Sequence, residues 1–204
     1  MHYLQQNIDI TNLSNFKTKA TTKYYFEINS INDVLKINEI KNFANTNNLK
    51  LLFIWWWTNT LFAFEKFNWI VIKNNLRWYN FDKKTKILEV STQENIRDIA
   101  LILKEKYKND LWYRFIWLPG SIWGAIYWNA WCFWLETENN FLKATAYNFS
   151  TWKIEIITKD KANFSYRNSI FKETNNYFLL KAYFDLSKME EKYSNDKDVI
   201  QFRE

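Results

Sequence analysis

The chain carries 12 Trp and only 2 Gly in 204 residues, and no other feature limits so sharply what it can fold into. A soluble chain of this length ordinarily holds roughly 14 Gly, at ~7% usage. Turns with positive φ need a residue without a Cβ, as do loops that bring backbone close to a ligand. Trp is a poor substitute in either. Trp55, Trp56 and Trp57 follow an apolar run that ends at Ile54. Trp117, Trp123, Trp128, Trp131 and Trp134 crowd around the single proline, Pro119, and the two glycines, Gly120 and Gly124.

Three explanations compete. Core packing requires each Trp to follow the period of its element, and these positions read as loops instead. A stacking platform for sugars or single-stranded nucleic acid wants spaced rings on a sheet, not three in succession. The third explanation is that the Trp positions are physically glycine positions. Written with Gly, residues 54–59 become Ile-Gly-Gly-Gly-Thr-Asn and residues 117–125 become Gly-Leu-Pro-Gly-Ser-Ile-Gly-Gly-Ala. Residues 129–134 become Asn-Ala-Gly-Cys-Phe-Gly. A glycine-rich turn after a strand lets successive backbone N–H groups converge on a phosphate. Reading eleven of the twelve Trp as Gly brings glycine close to average usage and leaves one Trp. A lineage that reads UGA as glycine, translated with a table that reads UGA as tryptophan, produces this pattern. Trp112, outside any glycine-like pattern, is expected to be the genuine tryptophan.

The remaining composition excludes several classes. Net charge is +6, spread along the chain without a block of like charges, so no nucleic-acid arm is expected. One Cys forbids an internal disulfide, and with a single His the chain supplies too few ligands for a His/Cys metal cage. The first twenty residues have no apolar core of a secretory signal, and the apolar run 51–64 falls short of the ~20 residues of a membrane span. A soluble cytoplasmic protein without membrane or nucleic-acid partners is the expectation. Cys132 is read as a packed thiol, and His2 is given no role.

Local patterning supplies the elements. Ser30 with Asp33 resembles a capping box, and Val34, Ile37, Ile40 and Ala44 follow at helical spacing up to Asn47 and Asn48. Leu49–Ile54 reads as a buried strand, with further strands around Ile70–Ile72 and over Lys86–Val90. Ser91 with Glu94 reads as a second capping box, opening a helix on Ile96, Ile99, Ala100, Leu103 and Tyr107. Residues 115–134 read as loop. Strands are expected over Ala144–Phe149, Lys153–Thr158 and Tyr177–Leu186, the last alternating with period two.

Four motifs, in order over more than half the chain, resemble the MurB family of UDP-N-acetylenolpyruvoylglucosamine reductases. Trp55, Trp56, Trp57, Thr58 and Asn59 resemble its glycine loop followed by Ser-Asn. Residues 117–125 resemble its Gly-Ile-Pro-Gly-Ser-Val-Gly-Gly-Ala, and residues 129–134 its Asn-Ala-Gly-Ala-Tyr-Gly. Tyr166, Arg167, Asn168 and Ser169 resemble its Tyr-Arg-Asn-Ser, which needs no glycine restored. The resemblance implies an α+β, two-subdomain FAD-binding fold of the vanillyl-alcohol oxidase/PCMH type, with subdomains at 1–73 and 74–204. It implies FAD as cofactor, NADPH as hydride donor and an enolpyruvyl UDP-sugar as substrate, in peptidoglycan precursor synthesis. On the same ground the first loop, together with Trp117, Pro119, Gly120, Ser121, Trp123, Gly124, Ala125 and Asn129, is expected to hold FAD. Arg167 is expected to stabilise the enolate-like charge on the substrate, with Tyr166 beside it. The family's proton-donating Ser and late catalytic Glu lie in a third domain with no counterpart here, so the chain is expected to be truncated and, as written, inactive. Another flavin-dependent oxidoreductase of the same fold is the alternative, and a Trp-rich binding module is the distant one.

Overall fold

The computed structural model describes residues 1–54 and 61–188, and the chain divides into two compact units, Met1–Leu76 and Arg77–Glu204. The division falls a few residues beyond Lys73. That residue lies inside a strand still paired to its neighbour through Ile28 and Asn74, so a cut there would break a ladder.

The first unit runs β1 (Gln5–Asp9), β2 (Thr21–Ile28), α1 (Ile31–Leu35), α2 (Ile37–Thr46), β3 (Lys50–Ile54) and β4 (Lys66–Asn74). The sheet order is β1-β2-β4-β3, antiparallel between β1 and β2 and parallel elsewhere. β4 is central because Ile70, Val71 and Ile72 are β-branched and apolar on both faces, and all three are fully buried. The Ser30–Asp33 capping box is present, with the Ser30 amide donating to Asp33 Oδ2 at 2.9 Å. The expected helix is broken at Lys36 into α1 and α2, yet Val34, Ile37, Ile40 and Ala44 are all buried. β3 is an edge strand in which only Ile54 is fully buried, so the expectation of a buried strand is corrected: it has one hydrogen-bonded neighbour.

The second unit holds β5 (Tyr79–Phe81), β6 (Ile87–Ser91), α3 (Ile96–Tyr107), a 3₁₀ turn (Tyr113–Trp117), α4 (Ile122–Tyr127), β7 (Trp131–Cys132) and β8 (Leu135–Glu136). α5 (Thr137–Asn140), β9 (Phe141–Asn148), β10 (Lys153–Thr158), α6 (Lys159–Ala162), α7 (Ile170–Thr174) and β11 (Tyr177–Asp185) follow. Its antiparallel sheet has the order β10-β9-β11-β6-β5, with β7 and β8 forming a separate ribbon. The apolar stripe of α3 packs into a core with Leu88, Phe115, Phe141 and Phe184. The helix is capped by Asn95, whose Oδ1 accepts from Arg97 N at 2.9 Å. Ser91 instead ends β6, so the expected Ser91–Glu94 box is a turn preceding the cap. The expected alternation in β11 holds from Leu180 onward. A register shift between Leu179 and Lys181 buries Leu179 as well.

Segment 115–134 is not all loop. It carries the 3₁₀ turn, α4 and β7, each too short to show a period. Trp69 lies within β4. There the β2 register skips between Thr22 and Tyr24, the kind of irregularity where strands place glycine. Among the described residues no helix is long and apolar enough to cross a membrane, and no group of three or more His, Cys, Asp or Glu could hold a metal.

Candidate active site and cofactor loop

Residues 117–125 are held by backbone. Gly120 O accepts from Ile96 N at 3.1 Å, Glu94 O accepts from Ile122 N at 2.8 Å, and Thr92 O accepts from Trp123 N at 2.8 Å. Pro119 precedes the one residue here that must be glycine: Gly120 has φ +131°, and an added Cβ would meet nothing within 4 Å. Ser121 caps α4, its Oγ accepting from Gly124 N at 3.2 Å, and Ala125 is buried behind it. Between the two carbonyls that anchor the loop lies Gln93, fully buried, whose side-chain amide has no hydrogen-bond partner among the described residues. A buried amide left unpaired is costly unless something else satisfies it.

α4 ends in a Schellman motif. Ala130 N donates to Ala125 O at 2.8 Å and Asn129 N to Ile126 O at 3.2 Å, with Asn129 left-handed at φ +40°. The Asn129 side chain is fully buried. Its Nδ2 donates to Glu136 Oε2 at 2.9 Å and to Ser165 O at 3.1 Å, while its Oδ1 accepts from Glu138 N at 3.1 Å. Burial, then the nearby Glu136 carboxylate, raises the Glu138 pKa above the ordinary carboxylate value.

Ser165 opens the turn that carries Tyr166 and Arg167. Ser165 and Asn168 exchange backbone hydrogen bonds of 3.2 and 3.1 Å, and Arg167 sits at φ +55°. A left-handed arginine is a strained choice that its surroundings must enforce. They do so: Lys172 Nζ donates to Arg167 O at 3.1 Å, and Asn168 Nδ2 donates to Glu173 Oε1 at 2.6 Å. Ser169, buried at the start of α7, donates from Oγ to Tyr127 O at 2.8 Å and so ties this motif to the end of α4. The Arg167 guanidinium lies 5.8 Å from the Trp128 ring centre, with Lys172 Nζ at 4.1 Å. Tyr166 is 75% exposed.

The structure thus brings the 117–131 segment and the Arg167 turn together through Asn129, Tyr127 and Trp128. Trp55, Trp56, Trp57, Thr58 and Asn59 lie outside the described residues. Gln93, Glu136 and Lys172 were not legible as site residues. Each is one polar residue in an ordinary stretch, and only the folded chain puts it against the loop or the turn.

No protein-family model matches the chain. Curated relatives do. The reductase of Fervidobacterium nodosum is 29% identical over 182 residues, covering 89% of this chain and 57% of its own length. That of Chlamydia muridarum is 23% identical over 200 residues, covering 98% and 65%. Both bear the name UDP-N-acetylenolpyruvoylglucosamine reductase, the name of the family that the four motifs resemble. The chain therefore spans 57% and 65% of the length of these two relatives. Among solved structures, the MurB of Thermus caldophilus superimposes with a TM-score of 0.62 at 10% identity, over 98% of this chain and 66% of its own. The fold is that of MurB. A BBE-like protein of Physcomitrella patens matches with a TM-score of 0.57, and CrmK, a flavoenzyme of caerulomycin biosynthesis, with 0.58. The MurB-like fold is thus the α+β architecture expected from the motifs, shared with the flavoenzyme CrmK.

Proposed function

We propose that this chain is a flavoprotein of the UDP-N-acetylenolpyruvoylglucosamine reductase type, using NADPH to reduce an enolpyruvyl UDP-sugar to UDP-N-acetylmuramate. The observation that carries the reading is the Tyr166–Ser169 motif. It requires no recoding, it forms a braced turn, and it is tied by hydrogen bonds to the end of α4, the helix that opens on the glycine-type loop.

FAD fits the backbone here. Gly120 leaves its flank open, and Gln93 supplies a buried amide awaiting a partner next to the loop. Residues 117–125 would hold the cofactor, which when bound relays hydride from NADPH to the substrate. Arg167, its backbone held by the braced turn, would offer its guanidinium to the substrate carboxylate and to the negative charge that grows on it as the double bond is reduced. A planar fork with an unchanging charge suits that task better than lysine would. The braced turn lets Arg167 act without reorganising during the reaction. Tyr166, exposed beside it, would face the substrate.

The test is oxidation of NADPH by the purified, glycine-restored, flavin-loaded protein, followed at 340 nm with and without the enolpyruvyl UDP-sugar. Oxidation that depends on this sugar supports the reading. Oxidation that ignores it and follows a different acceptor would assign the chain to another flavin-dependent reaction on the same fold.

A further inference from the structure

We infer that Asn129 is the positioning residue that sets the Arg167 turn in place, rather than a contact to the cofactor; this rests on the function proposed above. An asparagine amide has two N–H donors and one carbonyl acceptor. Both donors of Asn129 are used within the protein, one on Glu136 Oε2 and the other on Ser165 O, and its Oδ1 accepts from Glu138 N. With the side chain fully buried, no donor remains for a phosphate or a flavin ring.

What these bonds join is more telling than their number. Asn129 belongs to the end of α4, Glu136 to β8, Glu138 to α5, and Ser165 to the turn whose third residue is Arg167. Ser165 O receives two donors, Asn129 Nδ2 from one side and Asn168 N from within the turn. On the other side of the turn, Lys172 Nζ holds the carbonyl of Arg167. The strained Arg167 backbone is thus clamped at both ends, and the Asn129 end connects it to the loop at 117–125. Asparagine serves twice at this position: it tolerates the left-handed backbone of the helix end, and its amide reaches the turn.

Glycine separates these two roles, because it keeps the left-handed backbone and deletes the amide. The experiment is Asn129→Gly in the full-length, glycine-restored, flavin-loaded protein. FAD affinity, read by titration of the flavin absorbance, should stay within about twofold of the parent, while kcat falls by about tenfold. In an Arg167→Ala background the same substitution should cause no further loss of kcat, because the turn then holds nothing catalytic. Hydrogen exchange should quicken in the peptide spanning residues 163–169, a readout that needs neither substrate nor turnover.

A tenfold loss of FAD affinity with kcat unchanged at saturating flavin would make Asn129 a cofactor contact and overturn the inference. So would a tenfold loss of kcat that persists in the Arg167→Ala background, which marks general damage to the fold, or unchanged exchange at 163–169. If the parent oxidises no NADPH in response to the sugar, the proposed function fails. The exchange measurement still decides whether Asn129 holds the turn.

Discussion

At the residue scale, Trp112 and Trp134 place the same side chain in opposite surroundings. Trp112 is fully buried, its Nε1 donating to Asn140 Oδ1 at 3.2 Å, its ring edge-on to Phe115 and Phe184 at 5.4 and 4.7 Å. A buried indole with its N–H satisfied is what a native tryptophan looks like. Trp134 is 69% exposed with φ +70°, and Trp152 has φ +59° at the hairpin between β9 and β10, where Trp152 N donates to Asn148 O at 2.7 Å. Both take the backbone of a glycine, and a left-handed residue just before the second strand is a common hairpin closure. We expect Trp112→Ala to cost about 3–5 kcal/mol in urea denaturation. Trp134→Gly and Trp152→Gly should each stabilise by about 0.5–1 kcal/mol, release of strain outweighing the added freedom of the unfolded chain. Equal effects at all three positions would contradict the distinction. In the full-length, glycine-restored enzyme, Arg167→Ala should leave FAD bound and lower kcat by ~10²-fold or more, the scale for losing one preorganised charge stabiliser. Unchanged turnover would reduce Arg167 to a surface charge.

At the element scale, the pairing of β6 with β11 offers a pH test. Glu89 accepts from Lys181 Nζ at 2.7 Å and from the Tyr183 hydroxyl. Burial alone would raise the Glu89 pKa, but these bonds and the charges of Lys181 and Lys143 outweigh it, leaving it below the usual value of 4.5. A carboxylate depressed on folding stabilises the protein above its unfolded pKa, and that contribution fades as pH falls through the lower folded pKa. Lys181→Met should therefore cost roughly 1 kcal/mol or less at pH 7, the gap closing as the pH falls below about 4 in thermal melts. A gap that persists at low pH would assign the loss to packing. The same elements show what the sequence made legible. β11 could be read because Ala182, Phe184 and Leu186 alternate cleanly, while the bulge at Leu179 could not, since a register shift belongs to the pairing with β9. β1 was invisible because an exposed edge strand has no apolar alternation to display. Of the site, the Tyr166–Ser169 motif could be read directly, whereas the role of Asn129 could not. Its partner Glu136 meets it through the β7–β8 ribbon, and Ser165 only after the chain has folded back across β9 and β10.

At the scale of the whole molecule, the glycine-type loops and the MurB-like fold lead to one conclusion. On the function proposed above, the chain holds a flavin through its backbone, and side chains at those positions would obstruct the approach. Tryptic peptides of the protein made by its own organism should show glycine at Trp117, Trp123, Trp131 and Trp134 and tryptophan at Trp112; tryptophan at all five would end the recoding account. The most direct measurement is flavin retained after desalting, compared between the chain as written and a version with glycine at every Trp position except Trp112. The glycine version should retain FAD and show its absorbance near 450 nm, and the chain as written should retain none. Flavin held equally by both, or by neither, would contradict the account.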